Sequence, residues 1–363
     1  MTLSSIHTRF MAALLFLLAG IYPAPLTSGQ EKPPAGKPIN LDRELQAKEP
    51  TNVALSYYHF ALAKWYESKG DYSRALTEMR AALKYNDSSA SVRVELAGML
   101  ADSGNVREAL EIAQEAARID PKDPEPHMLL ANIYLKPQAR NRSANQEAMR
   151  KALAELETMR DIAPEDSRAY FPLGGLYFEL GEPEKAINSL EKFQSLVPGV
   201  DDGYLAIAEY YQRAQKNDQA VEYLNKAIQS KPDSPRSLMT LANLYSRMRK
   251  FKEAIPVYRK VLELTGENLA VKKQFAATLV DAGEFSEAVP LLEGVVKIMP
   301  QDREARLLLG RALTGSRRFA QAVETFRAVL EEDPKNLEAE YYLAIAYEQS
   351  GEPAEALKIF SQL

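Results

Sequence analysis

The sequence predicts an all-α solenoid of about nine helical hairpins, and three observations carry that prediction. Alanine recurs at Ala75, Ala109, Ala152, Ala186, Ala220, Ala254, Ala288, Ala322 and Ala356, in seven steps of 34 residues and one of 43. A leucine-like column (Leu62, Leu96, Leu130, Leu173, Ile207, Leu241, Phe275, Leu309, Leu343) and a small-residue column beside it (Ala63, Ala97, Ala131, Gly174, Ala208, Ala242, Ala276, Gly310, Ala344) keep the same frame. Within each unit apolar residues recur at helical spacing in two segments, split by a turn such as Gly70-Asp71, Gly104-Asn105, Gly181-Glu182 or Gly351-Glu352. A fixed period of this length marks stacked supersecondary units, none of which buries its apolar face alone.

The chain begins differently. His7 and Arg9 precede an apolar run from Phe10 to Ala19, and Pro23, Pro25, Thr27, Ser28 and Gly29 follow. A basic start, a short apolar stretch and small residues make 1–29 an expected secretory signal peptide, cleaved after Gly29. The run is shorter than the roughly 20 apolar residues a spanning helix needs; an uncleaved signal that anchors the chain is the alternative. Residues 30–50, with Pro33, Pro34, Pro38 and Pro50 among several charges, read as a linker.

The repeats then run 56–89, 90–123, 124–166, 167–200, 201–234, 235–268, 269–302, 303–336 and 337–363. Their small column lets two helix backbones approach closely. Three residues on, Tyr66, Leu100, Tyr134, Tyr177, Tyr211, Tyr245, Leu279, Leu313 and Tyr347 fill the space between hairpins. Pro121, Pro164, Pro198, Pro232, Pro300 and Pro334 stop the second helices, because proline lacks an N–H and clashes with the preceding turn. The third repeat is longer, with the excess around 136–149, and is expected to project from one edge of the solenoid. The ninth stops within its second helix without a polar cap, which suggests that a second copy or another molecule covers that end, or that the chain was cut short.

These columns resemble the tetratricopeptide repeat, a helix–turn–helix unit of 34 residues. The resemblance implies a right-handed superhelix whose concave wall is lined by the first helix of each repeat. The family's large aromatic at the fourth position is mostly replaced here, by His59, Arg93, His127, Leu238, Lys272, Arg306 and Glu340. By the same resemblance the fifth position faces the groove: Phe60, Val94, Met128, Phe171, Leu205, Met239, Lys273, Leu307 and Tyr341. Ninth-position residues, among them Lys64, Asn132, Glu209, Asn243 and Arg311, interrupt that apolar floor. The expected occupant is an extended or helical segment of a protein or peptide partner, with apolar contacts giving affinity and amides holding its backbone. Completion of helix-to-helix packing is the alternative role for these positions. The carboxylate-binding pattern of the chaperone-binding members is missing, because Glu95 stands where an asparagine would follow Lys64. The asparagine ladder of the glycosyltransferase-linked repeats is missing too.

Composition narrows the function further. The chain has no cysteine, so disulfides, thiolate catalysis and cysteine-held metals are excluded. A formal net charge of −5 gives no global case for nucleic acid. No metal-protease, phosphate-loop or nucleophile-elbow pattern occurs, and His59 and His127 are read as packing residues. No catalysis, no cofactor and no metal is expected. The turns of repeats five, six and eight are basic, through Arg213 and Lys216, Arg247, Arg249, Lys250 and Lys252, and Arg317 and Arg318. With Arg140 and Arg142 of the insertion they predict a cationic edge, either solvated surface or a dock for an anionic polysaccharide, headgroup or acidic protein. The expected function is a scaffold of the bacterial cell envelope, periplasmic or secreted. The alternatives are an accessory of polysaccharide secretion and the repeat arm of a larger enzyme.

Overall fold

Helix formation in most repeats follows from a polar cap, an amphipathic stretch and a stop. The computed structural model describes residues 51–136 and 142–363. The expected signal peptide at 1–29 and linker at 30–50, together with Arg140, lie outside the described residues. Nine helix pairs follow in chain order: α1 (Asn52–Ser68) and α2 (Tyr72–Tyr85), α3 (Ala90–Asp102) and α4 (Val106–Ile119), α5 (Pro124–Leu135) and α6 (Arg142–Ile162). Then come α7 (Tyr170–Glu179) and α8 (Pro183–Leu196), α9 (Asp202–Arg213) and α10 (Asn217–Ser230), α11 (Pro235–Arg247) and α12 (Phe251–Thr265). The last are α13 (Leu269–Ala282) and α14 (Phe285–Ile298), α15 (Arg303–Gly315) and α16 (Phe319–Glu332), α17 (Leu337–Ser350) and α18 (Pro353–Phe360). Among the described residues there is no strand. Each helix packs on its predecessor and its successor, which makes a helical solenoid.

The residue that closes one repeat caps the next. Ser89, Asp123, Ser234, Asn268, Asp302 and Asn336 each accept a hydrogen bond from the first turn of the helix they precede. Such caps satisfy otherwise orphaned N–H groups, each contributing about 1 kcal/mol. The start of the fifth repeat departs: Val200 stands in the cap column, and Asp201 precedes α9 without a side-chain cap bond. Its carboxylate is used elsewhere.

All nine alanines of the first column are buried. The small column is under the same pressure. A Cβ added at Gly310 would lie 2.5 Å from the Phe326 ring, and one at Gly174 would lie 2.4 Å from the Leu190 side chain. The hairpin turns depend on left-handed backbone: Gly70, Gly104, Gly181, Gly283 and Gly351 have positive φ. At the equivalent places in repeats five, six and eight, Gln215, Arg249 and Arg317 hold φ of 58°, 57° and 61°.

Two boundaries differ from the sequence reading. Helix α1 starts at Asn52, a turn before the expected first repeat. The excess of the third repeat, expected around 136–149, is largely helical: α6 has 21 residues where α2 and α4 have 14. Its extra length, about 10 Å at the α-helical rise, begins at Arg142.

Candidate functional site

Side chains of the first helices form two cavities, and together they make the candidate binding groove. One, of about 410 Å³, joins repeats one to four. Val94, Met128, Met99 and Leu129 supply its apolar floor, with Gly98 leaving room, while Glu67, Glu95, Asp102, Glu125, Asn132 and Arg168 supply the polar rim. The charges there neutralise one another across repeats. Lys64 bridges Glu67 and Glu95 at 2.7 and 3.0 Å, Lys136 reaches Asp102 at 2.7 Å, and Arg168 reaches Glu125 at 2.6 Å. Burial alone would lower the Lys64 ammonium's pKa, but its two carboxylate bonds outweigh that and hold it above the usual value.

The second cavity, of about 560 Å³, lies between α9, α11 and α13, with Tyr258 of α12 at its base. Its lining is mostly amide and hydroxyl: Gln212, Thr240, Asn243, Ser246, Gln274 and Thr278, with Arg247 and Asp281 as the charged members. The Tyr258 hydroxyl donates to Asn243 Oδ1 at 2.5 Å, which leaves the Asn243 amide nitrogen to serve as donor. Ser246 and Thr278 share a hydrogen bond of 2.9 Å. Arg247 donates to the Gln212 oxygen. A third cavity, of about 370 Å³, sits on the other face, between the second helices α12 and α14.

The structure places the remaining groove candidates unequally. Phe171 and Tyr341 are open, at 40% and 48% exposure, each touching a second aromatic: Phe193 at 5.2 Å and Phe360 at 6.1 Å between ring centres. Phe60 and Met239 are half-buried. Leu205 and Leu307 correct the sequence reading, because they are 1% and 8% exposed and belong to the core. Gly203 explains the first: a Cβ there would lie 2.9 Å from the Leu190 carbonyl, so the start of α9 sits hard against α8. Glu209 meets Arg236 at 3.3 Å. Arg311 meets Asp281 at 3.1 Å and lies over the Tyr342 ring. Lys273, the one charged fifth-position residue, holds Asp302 and Glu304 at 2.9 and 2.8 Å, and these bonds raise its pKa.

Sequence reasoning missed the second, twelfth and thirteenth positions. Arg168, Glu125, Glu67, Gln212 and Asp281 line the cavities from there. Arg247 was assigned to the edge but faces the second cavity as well. The signal was present in the repeat frame, since these positions fall one or more helical turns from the fifth and ninth.

The basic edge is shorter than expected. Arg213, Lys216, Lys252 and Arg317 are exposed and carry no ion pair among the described residues. Arg249 lies over the Phe251 ring, Lys250 is 3.7 Å from Asp218, and Arg318 bonds Glu293 at 3.0 Å. The turn of repeat seven, with Glu284, breaks the edge between repeats six and eight.

His59 and His127 fill the fourth position as polar packing. Each ring bonds a glutamate of its second helix, Glu78 at 2.6 Å and Glu155 at 2.7 Å, and His59 also stacks on Tyr85. Among the described residues no cluster of three His, Asp or Glu side chains is placed to hold a metal ion.

Family models described as tetratricopeptide repeat match residues 67–133, 279–327 and 313–363, and, through a second such model, 167–198. The chain belongs to the tetratricopeptide-repeat proteins. A model described as anaphase-promoting complex, cyclosome, subunit 3, matches 213–295 within this repeat array. No curated protein matches. Among solved structures, the C-terminal part of a TPR repeat-containing protein from Cytophaga hutchinsonii is 18% identical and covers 69% of this tetratricopeptide-repeat chain and 99% of its own, with a TM-score of 0.55. A thermophilic TPR protein of Thermus thermophilus is 25% identical over 52% of this chain and 98% of its own, with a TM-score of 0.39. MamA from Desulfovibrio magneticus is 22% identical over 45% of this chain and 92% of its own, with a TM-score of 0.42.

Proposed function

We propose that this tetratricopeptide-repeat chain is a non-catalytic scaffold that holds a segment of a protein partner against the first helices of its repeats. The pair of cavities along the first helices carries this reading. One offers an apolar floor between self-neutralised charges, and the other offers side-chain amides and hydroxyls that match a peptide backbone. The first anchors apolar side chains; the second fixes the chain's direction. The N-terminal signal-like segment of the sequence supports action in the cell envelope after export.

The test is affinity capture from an envelope fraction, run beside a variant carrying Asn132→Ala and Phe171→Ala. Both side chains are exposed, so the variant should fold as the parent does. A protein retained by the parent and lost by the variant supports the groove. Equal retention by both moves the binding surface elsewhere.

A further inference from the structure

From the charge and chemistry around the second cavity, we propose that the partner segment is an acidic peptide whose carboxylates lie over the turns of repeats five and six. This rests on the groove reading above and narrows it. Arg213 and Lys216 leave one turn; Arg247, Arg249, Lys250 and Lys252 leave the next. Hydrogen bonding of Arg247 to Gln212 shows that the two turns are neighbours, and the partner there is a neutral amide, not a carboxylate. Among the described residues, only Lys250 of the six cations forms an ion pair, and its acid, Asp218, has a side chain 91% exposed. The backbone stays left-handed at Arg249, where five other repeats place glycine, so the long cationic side chain is retained against a conformational cost.

Continuity with the cavity decides the kind of occupant. Arg247 belongs to both surfaces: it lines the amide-rich cavity and stands at the head of the basic turn. A peptide backbone satisfied by Asn243 and Gln274 would therefore run out under that turn. The patch also ends abruptly. Glu179 and Glu184 flank it on one side and Glu284 on the other, all exposed and without an ion pair among the described residues. Neighbouring hairpins stand roughly 8–10 Å apart, about the Debye length at physiological ionic strength. A uniformly charged polysaccharide or an anionic membrane laid along the edge meets those carboxylates and is repelled. A short run of Asp or Glu within a peptide spans two repeats and stops.

The experiment uses the full chain against a random-peptide array and an array of anionic glycans. The comparison variant carries Arg213→Gln, Arg249→Gly and Lys252→Gln, all at exposed sites, with the glycine suiting the backbone it receives. The expected result is enrichment of Asp and Glu in the peptides retained by the parent, reduced about fivefold or more by the variant, in keeping with the loss of a few exposed charge contacts. Retained peptides without acidic enrichment, or the same enrichment with both proteins, overturn the inference and leave the groove reading standing. Retention of anionic glycans in place of acidic peptides overturns it as well. Retention of no peptide by either protein overturns both readings.

Discussion

The carboxylate of Asp201 accepts a hydrogen bond from the hydroxyl of Ser237, so that the first residue of one repeat is tied to the first turn of the next repeat's helix. Both side chains are buried, at 4% and 0% exposure, and Lys231 stands 4.0 Å from the same carboxylate. This explains why α9 lacks a side-chain cap: Asp201 serves α11 instead.

Removing that carboxylate leaves a buried hydroxyl without its partner. Asp201→Ala should cost about 1–3 kcal/mol, and Asp201→Asn less, measured by urea denaturation. The pH dependence has a definite sign. Burial pushes the Asp201 pKa up, but the bonds from Ser234 and Ser237 and the charge of Lys231 outweigh it, so the group lies below its ordinary value of 3.8. A depressed carboxylate contributes stability above its unfolded value and loses that contribution as pH falls through the folded one. The parent and Asp201→Asn should therefore differ most at neutral pH and converge in strong acid. A gap that widens on acidification would contradict the assignment.

The three turns without glycine invite the opposite change. Left-handed backbone costs a non-glycine residue about 1–2 kcal/mol, against roughly half that for glycine's greater freedom in the unfolded chain. Gln215→Gly and Arg317→Gly should each raise stability by about 0.5–1 kcal/mol. Arg249→Gly should change it little, because it also removes the guanidinium from the Phe251 ring. Thermal midpoints of the three variants decide the order.

Glycines inside helices divide by what surrounds them. At Gly310 an added Cβ would strike the fully buried ring of Phe326, so Gly310→Ala should cost about 1–3 kcal/mol through forced repacking. At Gly294, within α14, nothing lies within 4 Å of the same atom. Gly294→Ala should stabilise by about 1 kcal/mol through helix propensity alone. The same denaturation series reads both, and equal effects would contradict this packing.

Most of the fold was legible because a solenoid is close to one-dimensional: a column of alanines at constant spacing fixes hairpin, turn and register together. The site was legible only in part. Of the fifth-position side chains only Val94 and Met128 line a groove cavity, and whether the others meet solvent depends on how tightly their neighbours close. Gly203 lets α9 approach α8, and the Asp201–Ser237 contact ties α11 to it, so Leu205 is covered where Phe171, at the same position one repeat earlier, is open. The left-handed angle at Arg249 was hidden for another reason. Only its alignment with Gly70 and Gly104 reveals it, since arginine carries no turn signal of its own.

The fourth position yields the last prediction. Arg306 occupies the place of the family's aromatic, buried at 7% exposure, and its guanidinium forms a two-bond contact with Glu332 of α16. Its Nε is buried without a partner, so the arginine already bears part of its desolvation cost uncompensated. Replacing it by a flat apolar or aromatic side chain removes that cost together with the pair, whereas removing Glu332 leaves a buried cation with nothing to balance it. Arg306→Tyr should thus be close to neutral and Glu332→Ala clearly destabilising, although Glu332 is the more exposed of the two. Adding Arg306→Tyr to Glu332→Ala should restore most of the loss. A double variant no more stable than Glu332→Ala alone would mean that the glutamate acts through something other than Arg306.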